Sequence, residues 1–370
     1  MSIRTELCDE FGIEYPIFAF CIDKEVCAAV SRAGGLGVLG ALRHTPEDLE
    51  KELSWLDEHC GGKPYGVDVV MPASYVGGEY DADEMFDALQ REIPEGHKLY
   101  VEEVLAKYGV PPLPADQPAP RELLGWTEAT ARPQVDVALS HDIALLANAL
   151  GPPPRDVVDE AHRHGVKVAA LVGSAEHARR QVEVGVDIVV ATGTEAAGHT
   201  PDIASMILWP EVVDAVAPRP VLAGGGIGSG RQMAAALALG TQGVWTGSIW
   251  LTVAEAQTQA AVRDKLLAAT SQDTVRSRSL SGKPARQLRT AWTDAWDDPN
   301  GPGALPMPLQ FMLTAEAVYR IYRAEHPDLM GMPVGQIVGR MNEVRPTAEV
   351  IEDMVRECSD TIERLKGLTS

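Results

Sequence analysis

The sequence predicts an α/β protein: a (β/α)₈ TIM barrel with a smaller helical lobe and a segment inserted after strand three. Three observations predict it. Eight short apolar runs alternate with helix-like stretches between residues 16 and 246. Glycine-rich turns follow the seventh and eighth runs. Beyond residue 249 the strand pattern stops and helical or irregular sequence takes over. Repeated βα units require parallel pairing and right-handed crossovers, and eight of them fit a closed barrel. An open doubly wound sheet has the same periodicity and is the alternative.

The elements follow in order. Residues 16–20 (PIFAF) read as the first strand, and Lys24 to Ala33 as a helix ended by Gly34 and Gly35. Leu36 to Leu39 is the second strand, Pro46 to His59 a helix with proline in its first turn, and Tyr65 to Val70 the third strand. Residues 72–134, with the proline-rich PPLPADQPAP, are too long for an ordinary connection and read as an insertion with some helix of its own. Val135 to Leu139 reads as the fourth strand, Pro154 to His164 as a helix, and Val166 to Val172 as the fifth strand. Ala175 to Val184 is a helix, Val186 to Ala191 the sixth strand, and Ser205 to Val216 a helix that Pro210 is expected to kink or restart. Pro220 to Ala223, the helix Arg231 to Leu239, and Gln242 to Thr246 complete the alternation. Residues 254–345 read as a smaller helical lobe. Thr347 to Leu365 is an amphipathic helix with Val350, Ile351, Met354, Val355, Cys358, Ile362 and Leu365 on one face, expected to pack back on the barrel. The implied division is 1–253 (with 72–134 inserted), 254–345 and 346–370.

The 370 residues are 45% apolar and 23% charged, an ordinary globular balance that excludes disordered and fibrous chains. Lys and Arg number 32 against 53 Asp and Glu, giving a formal net charge of −21. Such a surface repels phosphate backbones and anionic lipid, so nucleic acid and membrane are not expected as partners. The first residues lack the basic and apolar regions of a secretory signal, and no window approaches 18 consecutive apolar residues. Five scattered cysteines with no CxxC pair argue against structural zinc and a disulfide framework, so no metal is expected and a reducing cytoplasm is the expected setting.

Chemistry concentrates after the strands. AGGGIGSGRQ (223–232) follows an apolar run and opens a helix, where close glycine backbone and the positive helix end suit an anion. TGS (246–248) follows the next run. Loops after strands seven and eight commonly make the phosphate site of a barrel; alternatively these glycines only make tight turns. Gly35 to Gly40 fits GxGxxG literally, but it follows a helix and contains a strand, so it is not a dinucleotide fingerprint. GTEAAGHT (193–200) follows the sixth strand and sets His199 on the face where barrel chemistry occurs, as a candidate general base. A lone histidine is more often structural, and the neighbouring phosphate site is what raises this one. His141, placed after the fourth strand, is the other histidine of interest; the remaining seven lie mostly on polar or helix-like stretches. Asp68, inside the apolar third strand, either faces a polar cavity at the barrel mouth or makes a structural hydrogen bond.

AGGLGVLGA (33–41), YGVDVVMP (65–72), VDIVVATGTEAAGHT (186–200), VLAGGGIGSGRQMAAALALGTQGVWTGS (221–248) and SGKPAR (281–286) together resemble the nitronate monooxygenase family, formerly 2-nitropropane dioxygenase. Its relatives are flavin-dependent enoyl-acyl carrier protein reductases and quinone reductases. The resemblance implies a barrel that binds FMN, with a small helical domain over the site. It makes His199 the catalytic base and puts Ala197 and Gly198 in its loop. It places the phosphate at Gly224, Gly225, Gly226, Gly247 and Ser248, and the flavin near Ala19, Phe20, Cys21, Asp68 and Thr192. The sequence departs from the family pattern where Ala-Pro-Met is Ala19-Phe20-Cys21, where a Gln, Glu or Asp is Thr192, where the first Gly of Gly-Gly-His is Ala197, and where a later Gly is Pro201. Backbone-based FMN binding tolerates these changes, whereas substrate identity depends on them. The implied activity is oxidation of alkyl nitronates or nitroalkanes, a small-molecule substrate, with O2. The alternatives are an enoyl-thioester reductase using NAD(P)H, with Lys283 or Arg286 meeting a carrier phosphate, and a phosphate-ligand barrel without turnover. The sequence gives no oligomeric state.

Overall fold

A computed structural model describes residues 3–71, 82–114, 116–117 and 128–368. In chain order it runs α1 (Glu6–Phe11), β1 (Ile17–Cys21), α2 (Lys24–Arg32), β2 (Leu36–Gly40), α3 (Pro46–His59), β3 (Tyr65–Asp68), α4 (Ala82–Glu92), α5 (Glu95–Lys107) and α6 (Glu128–Ser140). Next come β4 (Leu145–Asn148), α7 (Arg155–Arg163), β5 (Lys167–Val172), α8 (Ala175–Glu183), β6 (Ile188–Thr192), a two-residue β7 (Gly198–His199), α9 (Ser205–Val216), β8 (Val221–Gly224), α10 (Gly230–Ala238) and β9 (Gly243–Thr246). The remainder holds α11 (Ala260–Ala268), β10 (Thr274–Ser277), β11 (Ala285–Leu288), α12 (Ala291–Asp297), α13 (Leu309–Arg323) and α14 (Thr347–Lys366). β1, β2, β3, β4, β5, β6, β8 and β9 close into a barrel whose neighbours all pair in parallel, β9 returning to β1. The closed (β/α)₈ barrel expected from the alternation is therefore observed, and the open sheet is not.

Strand alternation sorts side chains into two sets. Phe18, Leu36, Val38, Leu145, Ala147, Ala169, Ile188, Val190, Leu222 and Trp245 fill the barrel, while Ile17, Ala19, Cys21, Leu39, Val67, Val168, Ala170, Val189, Ala191 and Val244 meet the helices. Helix α1 closes the bottom: Leu7, Cys8 and Phe11 join the interior set, and the Phe11 ring meets Phe18 edge-on at 5.4 Å.

Two sequence expectations are corrected. Val135 to Leu139 is not a strand; it lies in α6, and the fourth strand is Leu145–Asn148. Ala131, Val135, Ala138 and Leu139 are all buried at helical spacing, a longer pattern that prevails over the local run. His141 consequently follows a helix, where its ring is held between Asp57 at 2.7 Å and Glu50 at 3.2 Å. Strand structure also resumes after residue 249, as β10 and β11 in an antiparallel sheet with β7. Those strands are four residues long and carry Arg276, Arg286 and Gln287, so they lack an apolar signature. Pro210 does not restart the helix; α9 runs through it.

Residues 72–81, 115 and 118–127 of the expected insertion lie outside the described residues. Its α5 packs against α12 and α13: the Tyr100 hydroxyl donates to Ala295 O at 2.6 Å, and Arg320 bonds Glu102 at 2.6 Å and Pro111 O at 3.0 Å. At the other end, α14 lies on α10 so closely that a Cβ on Gly230 would sit 2.1 Å from Met354 O. The start of α14 is capped from a distance, because the Thr347 amide and hydroxyl both donate to the Glu255 carboxylate at 3.0 and 2.8 Å. No helix among the described residues is long and apolar enough to cross a membrane.

Candidate active site

The C-terminal ends of the barrel strands make the site. At this end most inward positions are small or polar: Gly40 on β2, Asp68 on β3, Thr192 on β6 and Gly224 on β8, with Phe20 on β1 and Leu171 on β5 as large exceptions. Asp68 is 3% exposed, and its Oδ1 has no hydrogen-bond partner; neither has the buried Thr192 Oγ1. Burial alone pushes the Asp68 carboxyl up to about 7. Orphaned buried polar atoms are uncommon in folded proteins, and these two belong to the same layer.

The two glycine loops flank that layer. Gly225 and Gly226 have φ of +89° and +72°, which L side chains rarely adopt, and a Cβ on Gly225 would lie 3.0 Å from Gly193 N. Gly247 has a negative φ of −143° and open space where a Cβ would go, its nearest neighbour being Phe20 Cδ1 at 4.0 Å. The backbone N–H groups of Gly225, Gly226, Gly247 and Ser248 have no acceptor among the described residues. Ser248 Oγ accepts from Gly335 N at 2.8 Å, so residues 335–337, returning from the lobe, form a further wall. The loop after β6 is tied to the loop after β8. Gly193 N donates to Gly224 O, and Trp209 Nε1 donates to Ala191 O and Gly224 O at 3.1 Å each. Glu195 turns its carboxylate to the Ser205 amide and hydroxyl.

Past Ala197, the chain enters β7 at Gly198, whose φ is +72°. His199 pairs with Ala285 and Gly198 with Arg286, so the imidazole and the Arg286 guanidinium lie on opposite faces of the small sheet. Arg276 shares the Arg286 face by register. The two arginines hold the loop on either side of His199, Arg286 Nε on Thr194 O at 2.9 Å and Arg276 Nη2 on Thr200 O at 3.0 Å. On the other face, His199 Nε2 bonds the buried Ser281 Oγ at 2.6 Å, while Nδ1 has no partner among the described residues. His199 retains solvent exposure, yet surrounding protein, and secondarily the Lys283 charge, lower its pKa below the ordinary histidine value. Lys283 forms no ion pair with a described residue.

The expected site residues therefore divide. Phe20, Asp68, Thr192 and Gly224 share the inward layer, Gly225, Gly226, Gly247 and Ser248 flank it, and Ala197, Gly198 and His199 form its edge beside β11. The side chains of Ala19 and Cys21 point instead to the helix layer, Cys21 Sγ bonding Ala19 O at 3.2 Å, so only their backbone remains to meet a ligand. Sequence reasoning missed Ser205, Glu195, Ser281 and Gly335. Ser281 and Glu195 stood within motifs already singled out, whereas Ser205 and Gly335 carry no local signal. No group of three or more metal-binding side chains occurs among the described residues.

A family model described as "Nitronate monooxygenase" matches residues 4–357. The Mycobacterium tuberculosis protein "Putative monooxygenase Rv1533" is 52% identical over 373 residues, covering 99% of each chain. Among solved structures, nitroalkane oxidase from Streptomyces ansochromogenes is similar with a TM-score of 0.79 and 25% identity, over 97% of this chain and 99% of that one. FabK from Thermotoga maritima is similar with a TM-score of 0.75 and 28% identity, over 99% of this chain and 100% of that one.

Proposed function

The chain belongs to the nitronate monooxygenase family and is an oxidoreductase, and from that premise we propose that it binds FMN at the C-terminal face of the barrel and oxidises alkyl nitronates or nitroalkanes with O2. The observation that carries the proposal is the pair of glycine loops, whose four unengaged N–H groups suit a terminal phosphate. The orphaned Asp68 Oδ1 and Thr192 Oγ1 suit the polar edge of an isoalloxazine, and the Phe20 ring, close to both Gly40 and Gly247, suits its apolar part. These residues fit the cofactor. When bound, FMN supplies a two-electron acceptor that O2 turns over.

His199 would remove the proton. With Nε2–H donating to Ser281 Oγ, the lone pair lies on Nδ1, the unengaged nitrogen. Its lowered pKa keeps the ring neutral, and hence basic, at neutral pH. The proton leaving a carbon beside a nitro group would go to Nδ1, and the bonding pair would stay on the substrate as the nitronate, for which bound FMN would serve as the two-electron acceptor. Arg276 and Arg286 fix the loop so that the ring keeps one position relative to the barrel mouth. A nitronate, already deprotonated, needs only binding and orientation. The free cysteines fit the reducing cytoplasm we propose as its compartment.

A second reading is an enoyl-thioester reductase using NAD(P)H. The unpaired Lys283 beside His199, able to meet a carrier phosphate, and the structural similarity to FabK favour it. Denaturing the purified protein tests the cofactor: FMN in the supernatant supports the proposal, and FAD, or no flavin after reconstitution, opposes it. Rapid anaerobic bleaching by NADPH would favour the second reading over the first.

A further inference from the structure

Asp68 is the least comfortable charged residue in the barrel. It ends β3 on the inward side, between Gly40 on β2 and Ala147 on β4 by register. Neither neighbour offers a polar side chain. The other inward positions at this level are Phe20, Leu171, Thr192 and Gly224, so no titratable or charged side chain among the described residues of β1, β2, β4, β5, β6, β8 or β9 faces it. A buried carboxylate without a cation or donor is costly, and folded chains avoid it by retaining the proton. Its single orphaned oxygen lies in the same layer as the orphaned Thr192 hydroxyl, so an incoming ligand must satisfy two polar atoms here.

We propose that Asp68 holds its proton as a neutral carboxylic acid and donates a hydrogen bond to the bound isoalloxazine, so that FMN affinity is gated by that proton. The proposal rests on the reading of the barrel mouth as an FMN site. The polar edge of an oxidised isoalloxazine has acceptors at N1, O2, O4 and N5 and a donor only at N3. A protonated carboxyl therefore complements it at more positions than a carboxylate does. Thr192, whose hydroxyl donates or accepts, complements either form. In the free protein burial places the Asp68 transition near 7. A ligand that accepts from the acid form raises it further, and by linkage affinity must fall as the free protein loses its proton.

The test is the dissociation constant of FMN, read by quenching of flavin fluorescence between pH 6 and 9, for the wild type and Asp68→Asn. The phosphate of FMN titrates identically in both titrations, so the ratio of the two constants isolates Asp68. The ratio (wild type over variant) should be flat below pH 7 and rise by about tenfold per pH unit above it. A flat ratio to pH 9 overturns the proposal, as does a falling ratio, which would make the carboxylate the binding form. Infrared spectroscopy of the wild type gives an independent reading should the variant not fold. A protonated-carboxyl C=O band must persist at pH 8 when FMN is bound; its loss on binding overturns the proposal. If neither protein binds FMN at any pH, the cofactor reading itself fails and this inference with it, whereas tight binding with a flat ratio removes the inference alone.

Discussion

Replacing Gly247 with valine separates a ligand effect from a folding effect. Gly247 has a negative φ, and the space where its Cβ would stand is empty to 4.0 Å. The Cβ of the new side chain therefore meets neither left-handed strain nor a clash, and the stability loss should be smaller than for a residue placed at a left-handed glycine. The same empty space is what a phosphate oxygen would use to reach the N–H groups of Gly247 and Ser248. A hydrogen bond to a charged group contributes about 1.5–3 kcal/mol, so losing one weakens FMN binding by roughly 10- to 150-fold. The assay pairs an FMN titration by fluorescence quenching with a thermal melt of the apoprotein. An unchanged dissociation constant at unchanged melting temperature would refute the phosphate placement. Gly225→Val is the counterpart: at φ +89°, with backbone atoms at 3.0 Å, it should lose both FMN and stability.

Three further outcomes follow from the same geometry. His199→Asn should retain FMN and slow turnover of a neutral nitroalkane by about 10²- to 10⁴-fold, with a smaller loss on a preformed nitronate; equal losses in steady-state kinetics would leave His199 as a positioning donor. Asp68 releases its proton near 4 when unfolded and near 7 when folded, so between those values the folded apoprotein holds more protons and loses stability as pH rises. Asp68→Asn apoprotein, lacking that titration, should gain up to about 4 kcal/mol over the wild type between pH 4 and pH 8, and chemical denaturation with no such gain would contradict the buried acid. Gly230→Ala would drive a Cβ to 2.1 Å from Met354 O and 2.3 Å from Cys358 N, so it should cost about 1–3 kcal/mol by displacing α14 from α10, and an unchanged melting temperature would show that helix is not firmly docked.

The barrel was legible because buried parallel strands leave continuous apolar runs, and YGVD, KVAALV, IVVAT and VLAG each end close to where the sequence placed them. The fourth strand was misplaced because Val135, Ala138 and Leu139 belong to a helix interrupted in the sequence by an interior Pro133, while LLAN is only four residues long. The small sheet of β7, β10 and β11 was hidden for another reason: its strands are short and polar, and β7 pairs with a strand more than 80 residues further along the chain. Among the site residues, the glycine loops and His199 stood out because their chemistry is local. Ser281 and Gly335 reach the site through folding at long range, which no spacing encodes, whereas Glu195 lies within the loop after β6 and Ser205 opens the helix that follows it. Strand alternation, applied to β1, already separates Phe20 from Ala19 and Cys21.

The central claim is an FMN enzyme whose electrons come from a nitronate. Anaerobic stopped-flow mixing of the flavin-loaded protein with a preformed alkyl nitronate, in the absence of any nicotinamide, tests it most directly. The account predicts loss of the oxidised flavin absorbance within the turnover time and its return on admitting O2. Bleaching by NADPH alone, with nitronates leaving the spectrum unchanged, would contradict it.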